Sequence, residues 1–295
     1  MVLNIQGSDV QSSLAARPTP PVALVPVRRW NVDSRSVSRW PMHAKARTVD
    51  PAGGPIRYFR ERRRDVPIRL FCFPWSGAGA SAFRPLASSM PDYIEPLGIQ
   101  LPGRGDRRGE PTCRSLQPLA RDITGAVHRE LSDRPGRFAF YGHSFGALMA
   151  YEVACGLSNA GWHPELAVFS GSRAPNRPPR VVLHTGSDAR LLSELKRMGG
   201  LESARMHDIE FLNYFLPLVR ADLTTVETYR PAFTSRLHCP VSVWAGSEDW
   251  YAPPEDTAWW HDLAGSTYRS RMFGGGHFFI NDVDAVTAAL LSDLR

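Results

Sequence analysis

The stretch Arg137 to Ala150, RFAFYGHSFGALMA, limits what this chain can fold into more than any other. A short apolar run, Phe138 to Tyr141, meets Gly142-His143-Ser144-Phe145-Gly146 and passes into a helix-like segment. A G-x-S-x-G pattern between strand and helix holds its serine on a sharp, strained corner, with the hydroxyl raised above a sheet. Glycines two residues to either side keep Cβ atoms out of the corner. The N–H groups that open the following helix face a developing negative charge. Ser144 is therefore the candidate nucleophile; the plainer alternative is a Gly-rich turn in some other α/β protein.

The rest of the chain supplies the sheet such a corner needs. Ile68 to Pro74 reads as a buried strand that opens into a small-residue loop, Trp75-Ser76-Gly77-Ala78-Gly79-Ala80-Ser81. Tyr93 to Leu101 reads as a second strand. Leu116, Leu119, Ile123, Val127 and Leu131 recur at helical spacing. Short strand patterns follow at Leu166–Phe169, Pro240–Ala245 and Tyr268–Phe273, and Val283–Leu294 reads as a closing helix. Alternating strands and helices imply a mostly parallel sheet covered by helices on both faces. Between about 175 and 231 the strand signal vanishes into short apolar helices. The expectation is an α/β-hydrolase fold with a helical lid inserted over the strand ends, where ligands bind in open α/β sheets.

Composition bounds the function. Residues 1–66 hold twelve Lys and Arg against five Asp and Glu, and the remainder holds 23 against 24. The overall charge of +6 thus belongs to a Pro-rich, basic leader that is expected to be disordered. The near-neutral body, 67–295, gives no support to nucleic-acid binding. No apolar run approaches the roughly 18 residues of a membrane span. Cys72, Cys113, Cys155 and Cys239 lack metal-ligand or C-x-x-C spacing, which points to reduced thiols, a cytoplasmic setting and no metal.

A serine hydroxyl needs a base to take its proton and a third group to orient the base. In α/β-hydrolases these follow in the order Ser, Asp or Glu, His. His277 lies in Gly274-Gly275-Gly276-His277-Phe278-Phe279, after the last strand pattern, and is the expected base. His143 sits inside the turn, where its side chain should point elsewhere; His184, His207 and His261 are expected to be solvated. Asp249 follows the strand Val241–Ala245 and is favoured as the acid over Glu248, Asp256 and Asp262. The oxyanion donors are expected to be the N–H groups of Phe145 and Ser76.

With these pieces placed, residues 68–294 resemble the type II, free-standing thioesterases of polyketide and nonribosomal peptide biosynthesis. The resemblance rests on LFCFPWSGAGASAF (Leu70–Phe83), QLPGRGDRRGEP (Gln100–Pro111), FYGHSFGALMAYEVA (Phe140–Ala154) and LPLVRADLTTVETYRP (Leu216–Pro231). GSEDWYAPPEDTAWW (Gly246–Trp260) and GGGHFFIND (Gly274–Asp282) complete it. It implies a Ser144, Asp249, His277 triad. Thioesterase domains fused to synthases usually carry the acid after the strand that follows the nucleophile, and here that place reads Phe169-Ser170-Gly171-Ser172-Arg173, without a carboxylate. Relatives usually have His or Tyr and then Ala-Gly-Gly where this chain has Trp75-Ser76-Gly77-Ala78, so access at the mouth is expected to differ. The leader is a second departure.

The resemblance implies hydrolysis of acyl thioesters from the phosphopantetheine arms of acyl or peptidyl carrier proteins, with no cofactor and no membrane or nucleic-acid partner. The rival expectations are a general carboxylesterase or lipase of the same fold and a non-catalytic scaffold that binds carrier proteins.

Overall fold

A computed structural model describes residues 23–24, 54–63, 65–201, 203–231 and 235–295. Its strands are β1 (Ala23–Leu24), β2 (Ile56–Tyr58), β3 (Ile68–Phe73), β4 (Ile94–Ile99), β5 (Arg137–His143), β6 (Leu166–Ser170), β7 (Val241–Gly246) and β8 (Tyr268–Phe273). Its helices are α1 (Arg84–Ser89), α2 (Leu116–Asp133), α3 (Phe145–Ser158), α4 (Asp188–Met198), α5 (Ile209–Thr228), α6 (Pro254–Thr257) and α7 (Val283–Asp293). The strands form one sheet in the order β1-β8-β7-β6-β5-β3-β4-β2, parallel throughout except for the antiparallel edge strand β2. This is the α/β-hydrolase arrangement expected from the sequence.

Central strands buried on both faces read as apolar runs, and alternate residues serve opposite cores. Phe71 and Phe73 of β3, with Phe138 and Phe140 of β5, join Leu119, Ile123 and Val127 of α2 and Met149 and Val153 of α3. Leu70, Cys72 and Tyr141 point the other way, toward Leu86 of α1 and Val286 and Leu290 of α7. Between β6 and β7 the chain leaves the sheet to form α4 and α5. Leu191, Leu195 and Met198 pack there against Leu216, Val219 and Leu223 in a third, separate core.

One boundary is corrected. The disordered leader was expected to reach residue 66, yet Ile56–Tyr58 pair with Leu97–Ile99 as β2. Ile56 and Tyr58 are buried. Arg62 pairs with the buried Glu130, and Arg60 donates to the Ala87 carbonyl. A segment of three residues is too short for periodicity to reveal, and its partners are the distant Leu97–Ile99 and Glu130, the latter 72 positions away. Of residues 1–66, all but Ala23–Leu24, 54–63 and 65–66 lie outside the described ones.

Candidate active site

The corner after β5 is built as its glycines require. Ser144 has φ 55° and ψ −116°, and it is the one non-glycine residue with positive φ among those described. Such a conformation persists only where its surroundings over-determine it. The Ser144 N–H donates to the Ser170 carbonyl at 2.7 Å, which ties the corner to β6. A Cβ on Gly146 would stand 2.0 Å from the Phe73 carbonyl oxygen, and one on Gly142 would stand 2.3 Å from the Gly146 oxygen. No other residue type fits either position.

The three residues singled out by chain order meet across 133 positions of sequence. His277 Nε2 lies 3.0 Å from Ser144 Oγ, and His277 Nδ1 lies 2.8 Å from Asp249 Oδ2. Asp249 Oδ1 accepts from the Tyr251 and Ala252 N–H groups at 2.9 and 3.0 Å, so the carboxylate is held at both oxygens. Ser144, Asp249 and His277 are 8%, 2% and 3% exposed. A hydroxyl, an imidazole and a carboxylate in this line, shielded from water, can move a proton from oxygen to nitrogen while the carboxylate stabilises the imidazolium. The competing acids stand apart: Glu248 and Asp262 are exposed, and Asp256 pairs with Arg180.

The two expected oxyanion donors lie on segments that meet near this corner, where the Phe73 and Pro74 carbonyls border Gly146. Phe145 is the first residue of α3. Ser76 is a central residue of the turn Trp75–Ala78, closed by the Ala78 N–H donating to the Trp75 carbonyl at 3.0 Å. With that carbonyl turned into the turn, the Ser76 N–H of the same planar peptide points outward.

Two histidine expectations change. His143 packs beside the site, its ring centroid 5.0 Å from that of His277 and its Nδ1 3.0 Å from Ser170 Oγ. Burial, then the neighbouring His277, pushes the His143 pKa well below its usual value, so its ring is neutral. His184 is not solvated but bonds to the buried Glu227. Its apolar neighbours Val182 and Leu183 gave no sign of that carboxylate, which lies 43 residues along the chain.

Trp75 packs edge-on against Phe83, His143 and Phe278. With Phe278 it walls an apolar cavity of about 650 Å³, closed also by Leu86, Tyr141, Gly200 and Val283. A narrow cleft at Ser144 is lined by Ser172, Arg173, Val226 and Tyr251. Among the described residues no cluster of His, Cys, Asp or Glu is arranged to hold a metal, and no helix is long and apolar enough to cross a membrane.

Comparison with known proteins shows the family. The thioesterase domain family matches residues 68–294. Thioesterase PikA5 of Streptomyces venezuelae is 37% identical over 216 residues, which is 73% of this chain and 76% of that one. The RedJ thioesterase from the prodiginine biosynthetic pathway of Streptomyces coelicolor superposes with a TM-score of 0.72 at 33% identity, covering 86% of this chain and 96% of its own. The type II thioesterase BorB from the borrelidin biosynthetic cluster gives 0.73 at 30% identity, covering 82% and 98%.

Proposed function

The chain belongs to the thioesterase family and is a hydrolase of thioesters, and from that premise we propose that it clears acyl groups from the phosphopantetheine arms of carrier proteins in polyketide or nonribosomal peptide synthesis. The observation that carries this reading is the hydrogen-bonded line from Ser144 through His277 to Asp249, within a chain whose relatives are type II thioesterases.

In the proposed reaction Ser144 Oγ attacks the thioester carbonyl carbon while His277 Nε2 takes its proton. The oxyanion rests on the N–H groups of Ser76 and Phe145. Collapse breaks the carbon–sulfur bond, and the thiolate leaves with the proton from His277. Water then attacks the acyl-serine with His277 as base, and the free acid departs as Ser144 regains its proton. Asp249 holds the tautomer in which Nδ1 carries the proton and Nε2 accepts.

The cavity beside Trp75 and Phe278 is assigned to the acyl chain, since 650 Å³ lies within the usual range for small-molecule pockets and its walls are largely apolar. Gly199 and Gly200 of the helical insertion form part of that wall, which supports reading the insertion as a lid. One methylene in such a pocket is worth only about 1–3 kcal/mol, so chain-length selectivity is modest.

The test compares one acyl group on a carrier protein and on a small thiol, with Ser144→Ala as the blank. Higher kcat/KM on the carrier is expected. Equal efficiency on both, with faster cleavage of an oxygen ester than of its thioester, would move the assignment to a general esterase.

A further inference from the structure

Two of the sequence strings that mark the family, LPGRG around Arg104 and RADL around Asp222, hold none of the residues used in the reaction above. They meet inside the molecule. Arg104 and Asp222, 118 positions apart, form a buried two-pronged pair: Nη1 to Oδ2 at 2.6 Å and Nη2 to Oδ1 at 2.7 Å. The two residues are 4% and 2% exposed. Both reach past each other to the turn that carries Ser76. Asp222 Oδ2 also accepts from the Gly77 N–H at 2.7 Å, and Arg104 Nη1 also donates to the Ala78 carbonyl at 3.0 Å.

The turn's own bond, from the Ala78 N–H to the Trp75 carbonyl, does not by itself fix its middle peptide. Gly77 has φ +81°, and a Cβ there would meet Val219 of α5 at 2.6 Å. Glycine adopts other conformations as readily, and a turn closed by that one bond admits more than one orientation of its middle peptide. Rotation of the Ser76–Gly77 peptide moves the Ser76 carbonyl and the Gly77 N–H, and a turn left unheld at these groups is free to shift as a whole, carrying with it the Ser76 N–H of the Trp75–Ser76 peptide. The Gly77 N–H is the rotating group that Asp222 fixes, and the Ala78 carbonyl is the next one, fixed by Arg104. The same pairing leaves the Gly77 N–H engaged, so Ser76 is the residue of the turn left to serve an oxyanion.

We propose that Arg104 and Asp222 are positioning residues that lock the Trp75–Ala78 turn with the Ser76 N–H aimed at the developing oxyanion, and that α5 of the helical insertion is thereby coupled to that donor. The proposal rests on the reading of Ser144 as nucleophile. Because Asp222 lies on α5, a displacement of that helix releases Gly77, so the insertion's position sets whether the oxyanion site is formed.

A donor that serves only the transition state affects kcat and leaves ground-state binding alone. The first variant is Asp222→Asn. The second is Arg104→Met/Asp222→Leu, which removes both charges together and so leaves no buried ion unpaired. Each is assayed for kcat and KM, for affinity to a trifluoromethyl ketone of the acyl chain, which forms an anionic adduct with the serine, and for affinity to an uncleavable thioether analogue. Whichever variant keeps a cooperative melt is read. The expected result is a kcat lower by about 10²-fold, the scale of losing one oxyanion donor, with KM within about 3-fold. The ketone should weaken by the same factor as kcat while the thioether binds as before. Wild-type kcat in a folded variant overturns the proposal, as does an equal loss of ketone and thioether binding, which marks a merely structural pair. If wild-type protein forms no ketone adduct at Ser144, the nucleophile assignment fails instead, so the two failures are distinguishable.

Discussion

Replacing Asp249 by Asn tests the orienting role of that carboxylate, and its cost follows from the hydrogen bonds around it. Asp249 Oδ1 accepts two backbone N–H groups, from Tyr251 and Ala252, while Oδ2 faces His277 Nδ1. An Asn amide can keep its oxygen toward those two donors only by presenting its NH₂ to Nδ1. The imidazole then carries its proton on Nε2, donates to Ser144 Oγ and no longer acts as its base. The flipped amide would lose two bonds of about 1 kcal/mol each and set donors against donors. That places roughly 2–3 kcal/mol against it, and on the order of 1% of molecules remain productive. A neutral amide also stabilises the imidazolium less than a carboxylate does, by roughly 1–2 kcal/mol. The expected loss in kcat/KM is therefore about 10³-fold, bounded by about 10² and 10⁴. That is smaller than the loss for Ser144→Ala, and the assay is thiol release from an acyl thioester at pH 7.5 with Ellman's reagent. Asp249→Ala, which leaves the histidine free to choose its tautomer, should be no slower than Asp249→Asn. Full activity in Asp249→Asn, or a large loss in Glu248→Gln or Asp256→Asn instead, refutes the reasoning.

Gly146→Ala places a Cβ 2.0 Å from the Phe73 carbonyl oxygen and should cost about 3 kcal/mol or more in a urea melt, whereas Gly109→Ala, with nothing within 4 Å, should change stability by less than about 0.5 kcal/mol. His143 is held neutral by burial, its folded pKa below the unfolded value of 6.5, so the stability it contributes is present above pH 6.5 and lost as pH falls below it. Between pH 6.5 and 5, wild type should lose about 1.4 kcal/mol per pH unit more than His143→Gln, measured by chemical denaturation, and parallel curves would sink the point. Deleting residues 1–53 should leave a cooperative melt. Deleting 1–66 also removes the buried Ile56 and Tyr58 and should cost roughly 3–6 kcal/mol more, at about 1.5–3 kcal/mol for each side chain.

The parts of the site legible in the sequence are those fixed by local geometry or by chain order. The Gly142–Gly146 corner declares itself because only glycine fits beside Phe73 and beside Gly146 itself. His277 and Asp249 could be assigned because each follows a recognisable strand, and strand ends converge on one edge of a parallel sheet. The strands β3 to β7 were readable as runs buried on both faces, whereas β8, with two arginines and a half-buried pattern, is not one of these. What stayed hidden depends on partners distant in sequence. The Arg104–Asp222 pair spans 118 residues, and although both strings were recognised as family marks, neither string indicates that it closes on Gly77. β2 is three residues long and borrows its order from β4 and Glu130. His143 was expected to point away from the site, but its ring packs beside His277 and over Gly171, where a Cβ would stand 2.5 Å from it.

The central claim is that the acyl group passes through Ser144. Mixing the protein with an excess of acyl-loaded carrier protein, quenching in acid within milliseconds and mapping the peptides by mass spectrometry tests it directly. The account predicts an acyl adduct on the peptide containing Ser144, formed before steady state, absent in Ser144→Ala and strongly slowed in His277→Ala. An adduct on another residue, or clearance of the carrier by Ser144→Ala at the wild-type rate, would contradict it.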